Sequence, residues 1–87
     1  MKEVRDTVSS LRLDSVLSVG FSLSRSKAAE AVTSGKVQVN WADWQKPDRQ
    51  VVQGDVLTLR GLGKCVLEEV GNQTKKGRVF ITVKRYL

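Results

Sequence analysis

The chain has 87 residues, with fifteen Lys or Arg, nine Asp or Glu and no His, and so carries a formal charge of +6 at pH 7. That length supports one small domain with a modest core. Its 40% hydrophobic and 28% charged content is that of a folded soluble protein, with no apolar run long enough to span a bilayer and no secretory h-region after the charged start.

The cytoplasm is therefore the expected compartment, with no membrane partner and no small-molecule substrate. The single Cys65 has no second cysteine to pair with and no histidine with which to share a metal, so it is expected to be a small buried hydrophobe. No cofactor or metal is expected. Charge is unevenly placed: residues 60–87 hold seven cations against Glu68 and Glu69, whereas residues 1–59 hold eight cations and seven anions. Such a basic last third attracts polyanions, and on charge alone RNA, DNA and anionic lipid all fit.

Residues 1–9 are polar and lack a sustained period, which predicts a loosely ordered lead-in or one short helical turn. From Ser10 onward Leu13, Val16 and Leu17 fall at helical spacing, Arg12 and Ser15 point away from that stripe, and Gly20 is the expected stop. The short link that follows predicts a helical hairpin, with Phe21 and Leu23 plugging the corner. Ser24 is a good N-cap for a second helix over residues 25–34, whose apolar stripe is Ala28, Ala31 and Val32, with Leu23 stapled on Ala28 and Gly35 at the left-handed C′ position.

The start of this second helix carries a conflict. Its first turn bears partial positive charge, yet Arg25 and Lys27 follow the cap where acidic residues are stabilising. A bound phosphate would resolve it, since free N–H groups, the dipole and the cations together attract an anion. Two solvated surface cations costing a few tenths of a kcal/mol explain it as well, and the stretch alone leaves both readings open.

After Gly35 the period changes to two, with Val37 and Val39 on one face and Lys36, Gln38 and Asn40 on the other, which predicts a strand. Residues 41–49 read as an excursion, with Trp41 folded back over the core and Trp44 open between packing and base stacking. A turn at Gly54-Asp55 leads into a strand over residues 56–60. Glycine-rich breaks at 61–63 and 71–77 separate it from two more strands, the last placing Val79, Ile81 and Val83 on one face. The expected fold class is α+β, two packed helices followed by a small, mostly antiparallel sheet of four or five strands.

An enzyme is not expected. Without histidine there is no Ser/His/Asp or Cys/His arrangement and no H-E-x-x-H motif. Gly61-Leu-Gly63-Lys64 lacks the spacing of a nucleotide-binding loop and precedes a strand. Flanked by Arg60 and Lys64 it can still approach a nucleic-acid backbone closely. Lys75-Lys76-Gly77-Arg78 is a further basic loop, and three separate basic runs are harder to dismiss as solvated charge than one.

Arg12-Leu-Asp14 with Val16-Leu17, then Leu23-Ser-Arg-Ser-Lys-Ala28, Gly35-Lys-Val-Gln-Val-Asn40 and Gly54-Asp55-Val-Leu, resembles the S-four RNA-binding domain, or alpha-L motif, over about residues 11–60. The later Leu59-Arg-Gly-Leu-Gly-Lys64, Thr74-Lys-Lys-Gly-Arg78 and Lys84-Arg-Tyr86 resemble a narrower bacterial, cyanobacterial and plastid group, sometimes labelled photosystem II S-four domain proteins. There the domain is the C-terminal part of a longer protein. The resemblance implies a single RNA-binding domain over residues 10–87, a monomer that takes structured RNA, ribosomal or transfer RNA, in or near the ribosome. It implies backbone contacts from Arg12, Ser24, Arg25, Lys27 and Lys36, with Asn40 and Asp55 shaping turns; Arg60, Lys64, Lys75, Lys76 and Arg78 join them as candidate contacts on charge. Many members carry Gly where Trp41 stands, so a longer turn is expected there. Two other readings are kept: a basic protein-interaction domain docking on an acidic partner, and an accessory targeting domain of an RNA-modifying enzyme.

Overall fold

The computed structural model describes residues 1–86. Strand β1 (Lys2–Val8) precedes helices α1 (Leu13–Phe21) and α2 (Arg25–Thr33), and strands β2 (Val37–Val39), β3 (Ala42–Asp43), β4 (Val56–Leu59), β5 (Gly63–Gln73) and β6 (Val79–Tyr86) follow. They form one six-stranded sheet in the order β1-β6-β5-β4-β2-β3, antiparallel at every pairing. The α+β architecture is the expected one, with more strands than the expected four or five.

The additional strands have separate causes. Where a loose lead-in was expected, Lys2–Val8 pairs along its whole length with β6, Lys2 opposite Arg85 and Val8 opposite Val79. Its alternation is weak because β1 is an edge strand, and only Val8 is buried. The other addition is the short β3, joined to β2 by a two-residue turn instead of the expected longer one. Asn40 and Trp41 take φ 50° and 66°, the pair of left-handed residues that a tight hairpin turn of this twist requires.

Alternation elsewhere reads directly into burial. Val37, Val39, Leu57, Leu59, Cys65, Leu67, Ile81 and Val83 turn inward, where Leu13, Val16, Leu17 and Phe21 of α1 meet them. Helix α2 packs on α1 through Ala28 and Val32, and Leu23 packs against the same core. Gly20 is not the stop of α1. It lies inside the helix and buried, where an added Cβ would stand 2.9 Å from Cys65 Sγ and 3.1 Å from Val83 Cγ1, so it sets how closely α1 approaches the sheet. Ser22, at φ 56°, ends the helix instead.

Residues 44–51 do more than make an excursion. Arg12 occupies the N-cap of α1 without a side-chain capping bond, leaving the first N–H groups to find other acceptors. The Leu13 N–H donates to Arg49 O at 2.8 Å and the Asp14 N–H to Pro47 O at 3.1 Å. Trp44 packs against the core, its Nε1 donates to Lys46 O at 3.0 Å, and Arg49 stacks 4.2 Å from its ring centre. Trp41, expected over the core, is instead 66% exposed because the tight turn directs it away.

Candidate nucleic-acid interface

The centre of the helical hairpin is an acid that sequence reasoning left without a role. Asp14, in the first turn of α1, is 3% exposed. Arg12 Nε and Nη2 each donate to it at 3.1 Å, and Arg25 Nη2 reaches across from α2 at 3.3 Å. Burial alone would push its carboxyl up; the hydrogen bonds and charges of both arginines outweigh that and hold it below the usual carboxylate range. Asp14 thus supplies Arg25 with the anion that its place at a helix start calls for, and it fixes two candidate cations on the hairpin. Asp14 could have been suspected as a first-turn acid beside an arginine, but its link to Arg25, eleven residues on, is visible only in the fold.

Ser24 caps α2 as expected, its Oγ accepting the Lys27 N–H at 3.2 Å. Arg25 and Lys27 are two residues apart, about 200° around the helix, so they project to different sides instead of converging. On one side a cleft of about 290 Å³ is lined by Arg25, Arg78 and residues of β1 and α1. On the other, Lys27 and Lys36 line a cleft of about 270 Å³ along α2. Lys36 then adjoins Arg60, whose N–H donates to Lys36 O at 2.9 Å, and the two line a third hollow. Shared clefts therefore run from Arg78 to Arg25 and, across α2, from Lys27 through Lys36 to Arg60.

The remaining candidates stand apart from that line. Lys64 lies opposite Thr58 and Tyr86 on the sheet, at the start of β5. Lys75 and Lys76 are exposed in the turn beyond the other end of β5, about 30 Å away at ~3.3 Å per residue. Thr74 Oγ1 accepts the N–H groups of Lys76 and Arg78 and shapes that turn. Arg78 is drawn back from it, with Nε donating to Thr7 Oγ1 at 2.9 Å and Nη2 to Thr7 O at 2.6 Å. This clamp was missed because the partner strand was not expected. The neighbouring cations Lys84 and Arg85 serve the fold: Lys84 pairs with Glu68 at 3.3 Å and Arg85 stacks on Phe21.

Asn40 and Asp55 shape turns as the resemblance implied. Asn40 Nδ2 donates to Asp55 Oδ1 at 3.0 Å, Asn40 Oδ1 accepts the Val56 N–H, and Asp55 Oδ2 accepts the Val52 N–H. Ser15 departs from expectation: it is 3% exposed instead of facing solvent, and its Oγ has no hydrogen-bond partner among the described residues. Cys65 is fully buried, and burial pushes its thiol up to about 12.

Comparison with known proteins places the fold in a family. The S4 domain family model matches residues 11–57, the stretch that holds both helices, β2, β3 and the start of β4. The chain is also 43% identical over 84 residues to the ribosome-associated protein quality control protein P2 of Bacillus subtilis (strain 168). That match takes in 95% of this chain and 33% of the relative, so the chain spans about a third of the relative's length. The chain belongs to the S4 domain family.

Proposed function

We propose that this chain is a non-catalytic module that binds structured RNA, ribosomal or transfer RNA, through the cations that border α2. The observation that carries this reading is the set of three clefts, two beside the start of α2 and a third adjoining through Lys36, which gather cations from α2, the approach to β2, the end of β4 and the approach to β6. Cations spread along one surface suit the phosphates of a folded RNA, which proteins recognise through shape and backbone more than through base edges. Membership of the S4 family implies RNA binding, and the ribosome-associated relative favours a target on the ribosome in the cytoplasm. The domain works as a monomer and forms part of a longer protein.

A binding role also agrees with how the reactive groups are used. Asp14 is neutralised by two arginines, and the Cys65 thiol stays protonated at neutral pH. A fluorescence titration with ribosomal RNA over a range of salt tests the proposal. The expected log-log slope is about −0.7 to −0.9 per phosphate neutralised. Polyglutamate should compete poorly against folded RNA. A flat salt response, or displacement of RNA by polyglutamate at equal charge, would favour an acidic protein partner.

A further inference from the structure

The cleft between β1, α1 and the start of α2 combines features that the family motif does not account for. Its lining includes Asp6, Ser9, Ser15, Ser18, Arg25 and Arg78. Two of these, Asp6 and Ser9, precede the residues matched by the family model and Arg78 follows them, so the cleft exists only because β1 and the β5–β6 hairpin are added to the helices. Arg78 spends two of its five N–H donors on Thr7 and Arg25 directs one nitrogen to Asp14, which holds both guanidinium groups at the cleft with donors to spare.

Ser15 is the observation that points to a ligand. A buried hydroxyl without a partner is costly, and native proteins almost always satisfy such groups. Its neighbour Ser18 has an acceptor, donating to Ser15 O at 2.7 Å, whereas Ser15 Oγ has none among the described residues. Ser15 thus lines the cationic cleft with an enclosed, unpartnered hydroxyl, which rotation about χ1 would bring to an incoming oxygen.

Charge narrows the class of ligand. Arg12, Arg25 and Arg78 against Asp14 and Asp6 leave one net positive charge around the cleft, the amount that one phosphodiester neutralises. Its volume of about 290 Å³ is just below the range of drug-sized ligand pockets, ~300–1,000 Å³, which suits one backbone unit. We infer that this cleft is a subsite for a single phosphodiester of the bound RNA, held by Arg25 and Arg78 and accepting a hydrogen bond from Ser15 Oγ. The inference rests on the RNA-binding reading and carries the contact surface off the family motif onto β1 and the C-terminal hairpin.

Ser15→Ala removes one atom that the free protein leaves unpartnered, so thermal stability should hold or rise, while affinity for ribosomal RNA should fall roughly tenfold. Arg78→Gln should make the log-log salt slope shallower by about 0.7–0.9, one phosphate contact. Because Arg78 also braces β1, its variant is checked by amide exchange of residues 2–8, and Ser15→Ala stands independently of that brace. Wild-type RNA affinity and salt slope in both variants would overturn the subsite while leaving the RNA-binding reading intact. Failure of the wild-type protein to bind ribosomal RNA would overturn both.

Discussion

Replacing Asp14 by Asn keeps the shape of the side chain and removes the charge that Arg12 and Arg25 share. Three charge-assisted hydrogen bonds end on this carboxylate, at 3.1, 3.1 and 3.3 Å. Losing bonds to a charged group costs ~1.5–3 kcal/mol, and the favourable place of an acid in a helix first turn adds ~0.3–1 kcal/mol. Against this, the arginine side chains are 39% and 52% exposed, so water re-solvates their freed charge and the cost falls toward the low end. The expected loss for Asp14→Asn at neutral pH is about 2 kcal/mol.

The pH dependence separates this electrostatic cost from a packing effect. The folded-state pKa of Asp14 is lowered, so its contribution is fully present above the ordinary carboxylate value, about pH 4, and is lost as pH falls through the folded value. Urea unfolding of wild type and Asp14→Asn at neutral pH and below about pH 3, followed by tryptophan fluorescence, reads the gap directly. The gap should narrow in acid. A neutral-pH difference within about 0.5 kcal/mol, the ordinary scatter of surface substitutions, would refute the reasoning, as would a gap that stays constant with pH.

Trp41→Gly should raise stability by about 1 kcal/mol in thermal melts, because a left-handed residue with a side chain is strained and the exposed indole gives little packing in return; a loss would show that the indole does pack. Gly20→Ala gains ~1 kcal/mol of helix propensity but forces a Cβ against Cys65 Sγ and Val83, at a cost of ~1–3 kcal/mol. The net loss should be partly reversed by Cys65→Ala in the same chain, and strict additivity in the double-mutant cycle would contradict the close approach. The buried Cys65 thiol, raised from 9.0 to about 12, contributes stability that is complete below about pH 9 and is lost at about 1.4 kcal/mol per pH unit above it. Wild type should therefore lose ground to Cys65→Ala between about pH 9 and about pH 10.5, and parallel stability curves would contradict this.

Helix and strand patterns were legible wherever a whole face is buried. Leu13, Val16 and Leu17, or Val79, Ile81 and Val83, each report a repeat that one core imposes. What escaped was decided by partners distant in sequence. Edge strand β1 shows little burial pattern of its own, and Arg78 becomes legible only once Thr7 stands beside it. Gly20 looked like a helix stop because glycine commonly is one, but here close approach to Cys65 requires it. The Asn40-Trp41 turn was misjudged for the opposite reason, since tryptophan occupies a conformation that favours glycine. At the site, charge marked Arg25, Lys27, Lys36 and Arg60; the buried contact that holds Arg25 to Asp14 is visible only in the fold.

The central claim is that cations along the second helix and its neighbouring strands hold RNA phosphates. Lys27, Lys36 and Arg60 are all exposed, so the triple variant Lys27→Glu, Lys36→Glu, Arg60→Glu can be made without emptying the core. The most direct measurement is its affinity for ribosomal RNA, with circular dichroism to verify the fold. At about 0.1 M salt the account predicts a loss on the order of 100-fold or more, with a shallower salt slope. A folded triple variant that binds with wild-type affinity and slope would contradict it.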